Sequence, residues 1–241
     1  MAKEKAKILI LVEGAKTDVR LIEHLFQVYG IDAKYEIVSY GTNIYVLYNE
    51  MFYEGKPEDM DILQVLKERE QDASKKLVFA QEYTDILLVF DIEPQDGQFS
   101  VEKISAMANY FVESTDMGKL YLSYPMIEAF YHMTNIPDAE YNSRVVTICE
   151  LCEGTYKQRV NSENRNRDYR KFAATREECN IVIRQNIEKG WHILNDSSDD
   201  ALPDTRSVLD KQLEFLSNED KMYVLCTCVF FIKEYNPLLL K

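Results

Sequence analysis

Two apolar runs in this chain end abruptly in carboxylates. Lys7-Ile8-Leu9-Ile10-Leu11-Val12 leads straight into Glu13-Gly14, and Asp85-Ile86-Leu87-Leu88-Val89-Phe90 leads into Asp91-Ile92-Glu93. Carboxylates brought together do one of two kinds of chemistry. They hold a hard divalent cation through oxygen, or they move a proton as general acid or base. Asp91 and Glu93 alternate with Ile92, so an extended backbone turns both to the same side, and they are the expected metal ligands. Glu13 either completes that metal site or acts on the attacking water or the leaving oxygen. Gly14 lets the chain turn sharply and lets a phosphate approach the backbone. Crowded carboxylates repel one another, and Mg²⁺ or Mn²⁺ removes that penalty. Taken alone, either strand end reads as a solvated cap; the two together favour a metal site.

The elements that must position these groups follow from periodicity. The run to Val12 predicts a strand, and Leu21, Ile22, Leu25 and Phe26 place an amphipathic helix after it, with Thr17 as N-cap. Tyr35 to Ser39 predicts a second strand. Asn43 to Phe52 and Met60 to Glu70 predict helices, and Ile86 to Phe90 predicts a strand buried on both faces. Ser100 caps a helix carrying Val101, Ile104, Met107, Ala108 and Phe111. Lys119 to Leu122 predicts a fourth strand, and Pro125 opens a helix from Met126 to Met133. This alternation predicts an α/β fold: a mostly parallel sheet flanked by helices, with Glu13, Asp91 and Glu93 gathered at its carboxyl edge. The alternation stops near residue 135. Thr175 to Leu194, Ser207 to Leu216 and Lys221 to Tyr235 read as helices. The expected division is a catalytic region over 1–135 and a mainly helical region over 136–241.

The chain has 241 residues, 46% of them hydrophobic, which is ample for a packed core, and a formal net charge of −13. That charge argues against a general nucleic-acid coat, since phosphate binding wants cations. Any groove for phosphates must concentrate its cations locally. The densest stretch is Tyr156 to Lys171, with Lys157, Arg159, Arg165, Arg167, Arg170 and Lys171; Lys16 stands beside Gly14. Arg and Lys with interspersed Tyr and Asn suit phosphate contact and base stacking. The same stretch also suits a solvated loop or a dock for an acidic partner. Five cysteines in a chain of this length read as reduced thiols and a cytoplasmic location. Cys149, Cys152, Cys226 and Cys228 have poor zinc spacing, and buried thiols are expected instead. His24 and His192 read as surface or core residues. Glu128 and His132 also fit a simple helix-surface pair. The apolar stretches are too short for a signal-peptide core or a membrane span.

Glu13-Gly14 followed by Asp91-x-Glu93 resembles the Toprim domain, shared by topoisomerases, bacterial primases and several nucleases. Tyr124-Pro125-Met126-Ile127-Glu128-Ala129-Phe130-Tyr131-His132 resembles the Asn-Pro-x-x-Glu-x-x-x-x-x-His segment of RloB-like and AriB-like phage-defence nucleases. Two positions depart from the pattern: Glu93 stands where Toprim domains carry a second Asp, and Tyr124 stands where the segment carries Asn. The resemblance covers about the first 135 residues. It implies a Mg²⁺-dependent nuclease cleaving phosphodiester bonds in RNA (tRNA among the targets) or DNA. Glu13 would be the acid/base, and Glu128 would add or hold a metal ligand. It also implies an antiviral effector working with an ATPase partner; whether the chain forms a homodimer is left open by the sequence. Two rivals stand beside it. One is a haloacid-dehalogenase-like phosphatase with Asp91 as nucleophile; the other is a Toprim-like subunit that binds without catalysis.

Overall fold

In the computed structural model, which describes residues 6–52, 60–115, 117–166, 168–198 and 201–240, Lys7–Val12 forms β1, an inner strand of the sheet. Ile8 to Val12 are all fully buried, as a run without polar alternation must be when helices cover both faces. Helix α1 (Thr17–Tyr29) follows, burying Leu21, Ile22, Leu25 and Phe26, and ends at Gly30 in the left-handed region (φ 58°). Then come β2 (Lys34–Ser39), α2 (Ile44–Phe52), α3 (Ile62–Arg69), α4 (Ala73–Phe79) and β3 (Asp85–Asp91). Next are α5 (Val101–Tyr110), β4 (Val112–Glu113) and β5 (Gly118–Tyr124). The strand order is β2-β1-β3-β5-β4, parallel from β2 to β5, with β4 antiparallel at the edge. The chain is thus an α/β fold with a mostly parallel sheet.

Three local features differ from expectation. Thr17 is the first helical residue, not the N-cap; Lys16 holds that position without a side-chain cap, and the carboxylate of Asp18 takes the free Gly14 N–H instead. The segment after Pro125 is a 3₁₀ turn over Ile127–Tyr131, and the Tyr124–Pro125 peptide is cis. All five residues of that turn are buried, so it lacks the solvent face that a surface α-helix would carry. The helix α4, capped by Asp72, was not anticipated. Ser100 does cap α5, accepting the Lys103 N–H.

The largest difference is the last stretch. Beyond β6 (Val145–Thr147), α6 (Ile148–Cys152), α7 (Tyr156–Glu163), α8 (Arg176–Leu194) and α9 (Thr205–Glu219), the chain does not go straight into a helix. Lys221–Tyr223 forms β7, antiparallel to β6, and Leu225–Cys226 forms β8, antiparallel to β5. Only Phe230–Tyr235 is the α-helix α10. Met222, Val224, Leu225 and Cys226 are fully buried, and a short all-apolar run has no periodicity to distinguish strand from helix. Among the described residues, no helix is long and apolar enough to cross a membrane.

Candidate metal centre

Because β1 and β3 are parallel neighbours with Val12 opposite Val89, both deliver their carboxyl ends to one edge. Glu13 follows β1 directly. Its N–H donates to Val89 O at 3.1 Å, and its Oε2 accepts the Asp91 N–H at 3.1 Å. Asp91 closes β3 and is buried. Glu93 does not continue the extended backbone: its φ is +38°, a left-handed conformation that strains a non-glycine residue by about 1–3 kcal/mol. Surrounding bonds hold it there. The Glu93 N–H donates to Pro125 O at 3.1 Å, the Asp96 N–H donates to Glu93 O at 2.9 Å, and the Tyr45 hydroxyl donates to Ile92 O. Carboxylate oxygens of Glu13, Asp91 and Glu93 all lie within 4.8 Å of one another.

Glu128 comes from the 3₁₀ turn and is buried beside this trio, where its charge acts on Asp91 and Glu93. Its Oε1 meets Lys157 Nζ at 3.4 Å. It does not pair with His132. The His132 ring instead lies against Glu163, with Nε2 to Oε2 at 2.8 Å, and against the Tyr156 hydroxyl.

A further carboxylate, Asp18, escaped the sequence reading. It is buried, and its Oδ1 accepts the Gly14 N–H at 3.1 Å. A methyl group on Gly14 would sit 2.6 Å from Asp18 Oδ2, so a larger residue there must displace the Asp18 carboxylate. The signal was present: Asp18 lies on the stripe formed by Leu21, Ile22 and Leu25, which turns a carboxylate inward.

Burial pushes the Glu13 carboxyl up to about 8, with Glu93 and Asp18 adding to it and the Asp91 N–H and Lys157 opposing. Burial first, and then Glu13, holds Asp91 well above the usual carboxylate range. Burial also raises Glu93 and Asp18. The Lys157 ammonium, which burial alone would lower, is kept above its ordinary value by Glu128, Asp91 and Glu93. Asp91 Oδ1, Glu128 Oε2 and Ser123 Oγ are buried and have no hydrogen-bond partner among the described residues. Orphaned acceptors among mutually repelling carboxylates are the environment that a hard divalent cation satisfies. The donor set is oxygen alone, as Mg²⁺ or Mn²⁺ prefers.

The basic stretch is divided. Lys157, half exposed on α7, reaches the acidic edge. Arg159 is held by Glu150 at 3.0 Å and Glu163 at 3.1 Å, Arg165 by Glu178 at 2.7 Å, and Arg170 by Asp168 at 2.9 Å. Lys16 and Lys171 are exposed, and Arg167 lies outside the described residues. Cys226 and Cys228 are buried as expected, but Cys149 and Cys152 are exposed because α6 turns Leu151 inward. No family model, curated protein or solved structure matches this chain.

Proposed function

We propose that this chain is a Toprim-type nuclease, dependent on Mg²⁺ or Mn²⁺, that hydrolyses phosphodiester bonds in RNA, tRNA included, or in DNA. The observation that supports it most is the convergence of Glu13, Asp91 and Glu93 at one sheet edge with Asp91 Oδ1 buried and unpartnered among the described residues. Asp91 and Glu93 would hold the cation, with Glu128 beside them; when bound, the cation neutralises charge on the phosphate under attack. Glu13 moves the proton. In the metal-free protein its carboxyl sits at about 8, and a nearby cation brings it down toward neutrality, where a group both takes and gives protons. Lys157 offers a positive charge at the same edge for a phosphate oxygen. Gly14 keeps the loop bare of side chain where the phosphate comes in.

The direct experiment incubates the purified protein with RNA, tRNA and DNA in EDTA, Mg²⁺ or Mn²⁺. Cleavage confined to the metal-containing reactions is expected. Intact substrates throughout would refute a nuclease, and an aspartyl phosphate trapped on Asp91 would assign a phosphatase instead. The antiviral role in the cytoplasm with an ATPase partner belongs to the same proposal. A stable complex upon co-expression with the neighbouring gene product tests it, and failure to co-purify without change in toxicity counts against it.

A further inference from the structure

Beside the acidic edge runs a groove of about 690 Å³ that none of the chemistry above uses. Its volume lies in the ~300–1,000 Å³ range of sites that enclose a small organic group. Arg20, His24 and Gln27 of α1 line one wall, and Asn161, Tyr169 and Arg170 line the other. One end starts at Thr17, next to Asp18, and Tyr131, in the same 3₁₀ turn as Glu128, forms part of its floor.

Three features define what fits. First, Tyr169 is a fixed aromatic platform: it stacks on buried Tyr131 with ring centroids 4.1 Å apart and planes 8° from parallel. Second, the charges balance. Arg20 and Arg170 face Glu23 and Asp168, and Arg170 is already held by Asp168 through bonds of 2.9 and 3.0 Å. The interior of such a groove suits a flat, neutral, hydrogen-bonding group, with Arg20 alone left for a phosphate of the strand. Third, the side chains of Arg20, Gln27 and Asn161 make no hydrogen bond or ion pair among the described residues, which leaves their donors and acceptors for a ligand.

We propose that this groove is a nucleoside subsite in which the base of one unpaired nucleotide stacks on Tyr169 and faces Gln27 and Asn161. The adjoining phosphate then lies at the acidic edge. This rests on the nuclease reading of that edge and adds that the strand must be single there, since a paired base offers no free face to Tyr169.

The test measures binding of a fluorescein-labelled single-stranded RNA and DNA of about 12 nucleotides, and of their duplexes, to the full chain in EDTA. The wild type should prefer the single strands. Tyr169→Ala should weaken their binding about tenfold or more, while Tyr169→Phe should bind as the wild type does. A 2-aminopurine in the strand should be quenched by the wild type and the Phe variant but not by the Ala variant. Arg20→Glu, on an exposed position, should weaken binding and reduce the salt slope by about 0.7 for each phosphate that the variant no longer neutralises. Unchanged affinity in Tyr169→Ala, equal affinity for duplex, or no binding by the wild type overturns the subsite. Cleavage of the same RNA in Mn²⁺ is scored separately. Cleavage with an indifferent Tyr169→Ala overturns the subsite alone; Tyr169-dependent binding without cleavage in any metal overturns the nuclease alone.

Discussion

The carboxylate of Glu13 and the backbone N–H of Asp91 are joined by a 3.1 Å hydrogen bond across the ends of two parallel strands. That bond makes the loop after β1 and the end of β3 one unit. It also points one Glu13 oxygen at the backbone while the other remains for chemistry.

Glu13→Gln and Asp91→Asn should each lower cleavage by about 100-fold or more, the scale of a lost acid/base or metal function. Without metal their thermal midpoints should match or exceed that of the wild type, because the buried edge makes each carboxyl costly to ionise and the amide that replaces it carries no such cost. Turnover measured beside a thermal melt decides this; wild-type rates in either variant would refute the assignment.

Metal and pH should act together on stability. Glu13 has an ordinary value of 4.5 and sits at about 8 in the fold. Between those values the folded state holds a proton that the unfolded chain has lost, so the metal-free fold weakens as pH rises through that window. Mg²⁺ or Mn²⁺ should therefore raise the thermal midpoint clearly at pH 8 and little at pH 5, where protonated carboxyls bind poorly. An equal shift at both pH values would remove the carboxylate trio from metal binding.

His132 should give the opposite slope. Burial lowers it from 6.5 to about 4, although Glu163 pulls the other way. As a neutral ring it donates Nε2–H to Glu163 and accepts the Tyr156 hydroxyl at Nδ1. The unfolded chain takes up a proton first, so this group's contribution is lost as pH falls from about 6.5 to about 4, a matter of a few kcal/mol. The difference in urea stability between wild type and His132→Gln should shrink across that window; a constant difference would show His132 titrating normally.

Gly14→Ala should destabilise the fold by about 1–3 kcal/mol, as overpacking does, because its methyl meets Asp18 Oδ2 at 2.6 Å. Asp18→Ala removes the obstacle. The double variant should then be more stable than the sum of the two single losses, by coupling of about 0.5–3 kcal/mol. Strict additivity in a denaturation cycle would deny the contact.

Lys157→Gln should weaken binding of a phosphodiester substrate more than Arg165→Gln or Arg170→Gln, since Lys157 stands at the acidic edge beside Glu128, Asp91 and Glu93, whereas those arginines hold Glu178 and Asp168. Equal losses from all three, read by fluorescence anisotropy, would restore a continuous basic surface.

Glu13, Asp91 and Glu93 were legible because each ends an apolar run, and strand ends of parallel neighbours fall together whatever the loops do. The left-handed turn at Glu93 was not legible: it depends on Pro125 and Tyr45, which come from distant parts of the chain. Nor were the long-range arginine ion pairs. Glu150 meets Arg159 only once α6 and α7 are both in place, and Glu178 meets Arg165 only once α8 is, whereas Glu163, one turn along α7 from Arg159, is a local i, i+4 partner that a helix assignment would have offered. Counting cations along Tyr156 to Lys171 therefore overstated the charge left for a ligand. Lys221 to Tyr223 became a strand because β6 was there to pair with it, a partner that no local pattern announces.

The pairing of β8 with β5 sets an order of events during synthesis. Ser123 and Cys226, which face each other in that pair, lie about a hundred residues apart, a contact that forms late because the loop between must close first. Glu13, Asp91 and Glu93 leave the ribosome well before Leu225 and Cys226, which close the carboxyl end of the neighbouring strand. A nascent chain therefore carries its acidic edge with that end of β5 open until β8 emerges. Completion of the sheet, and with it the final enclosure of Ser123, waits for that second strand.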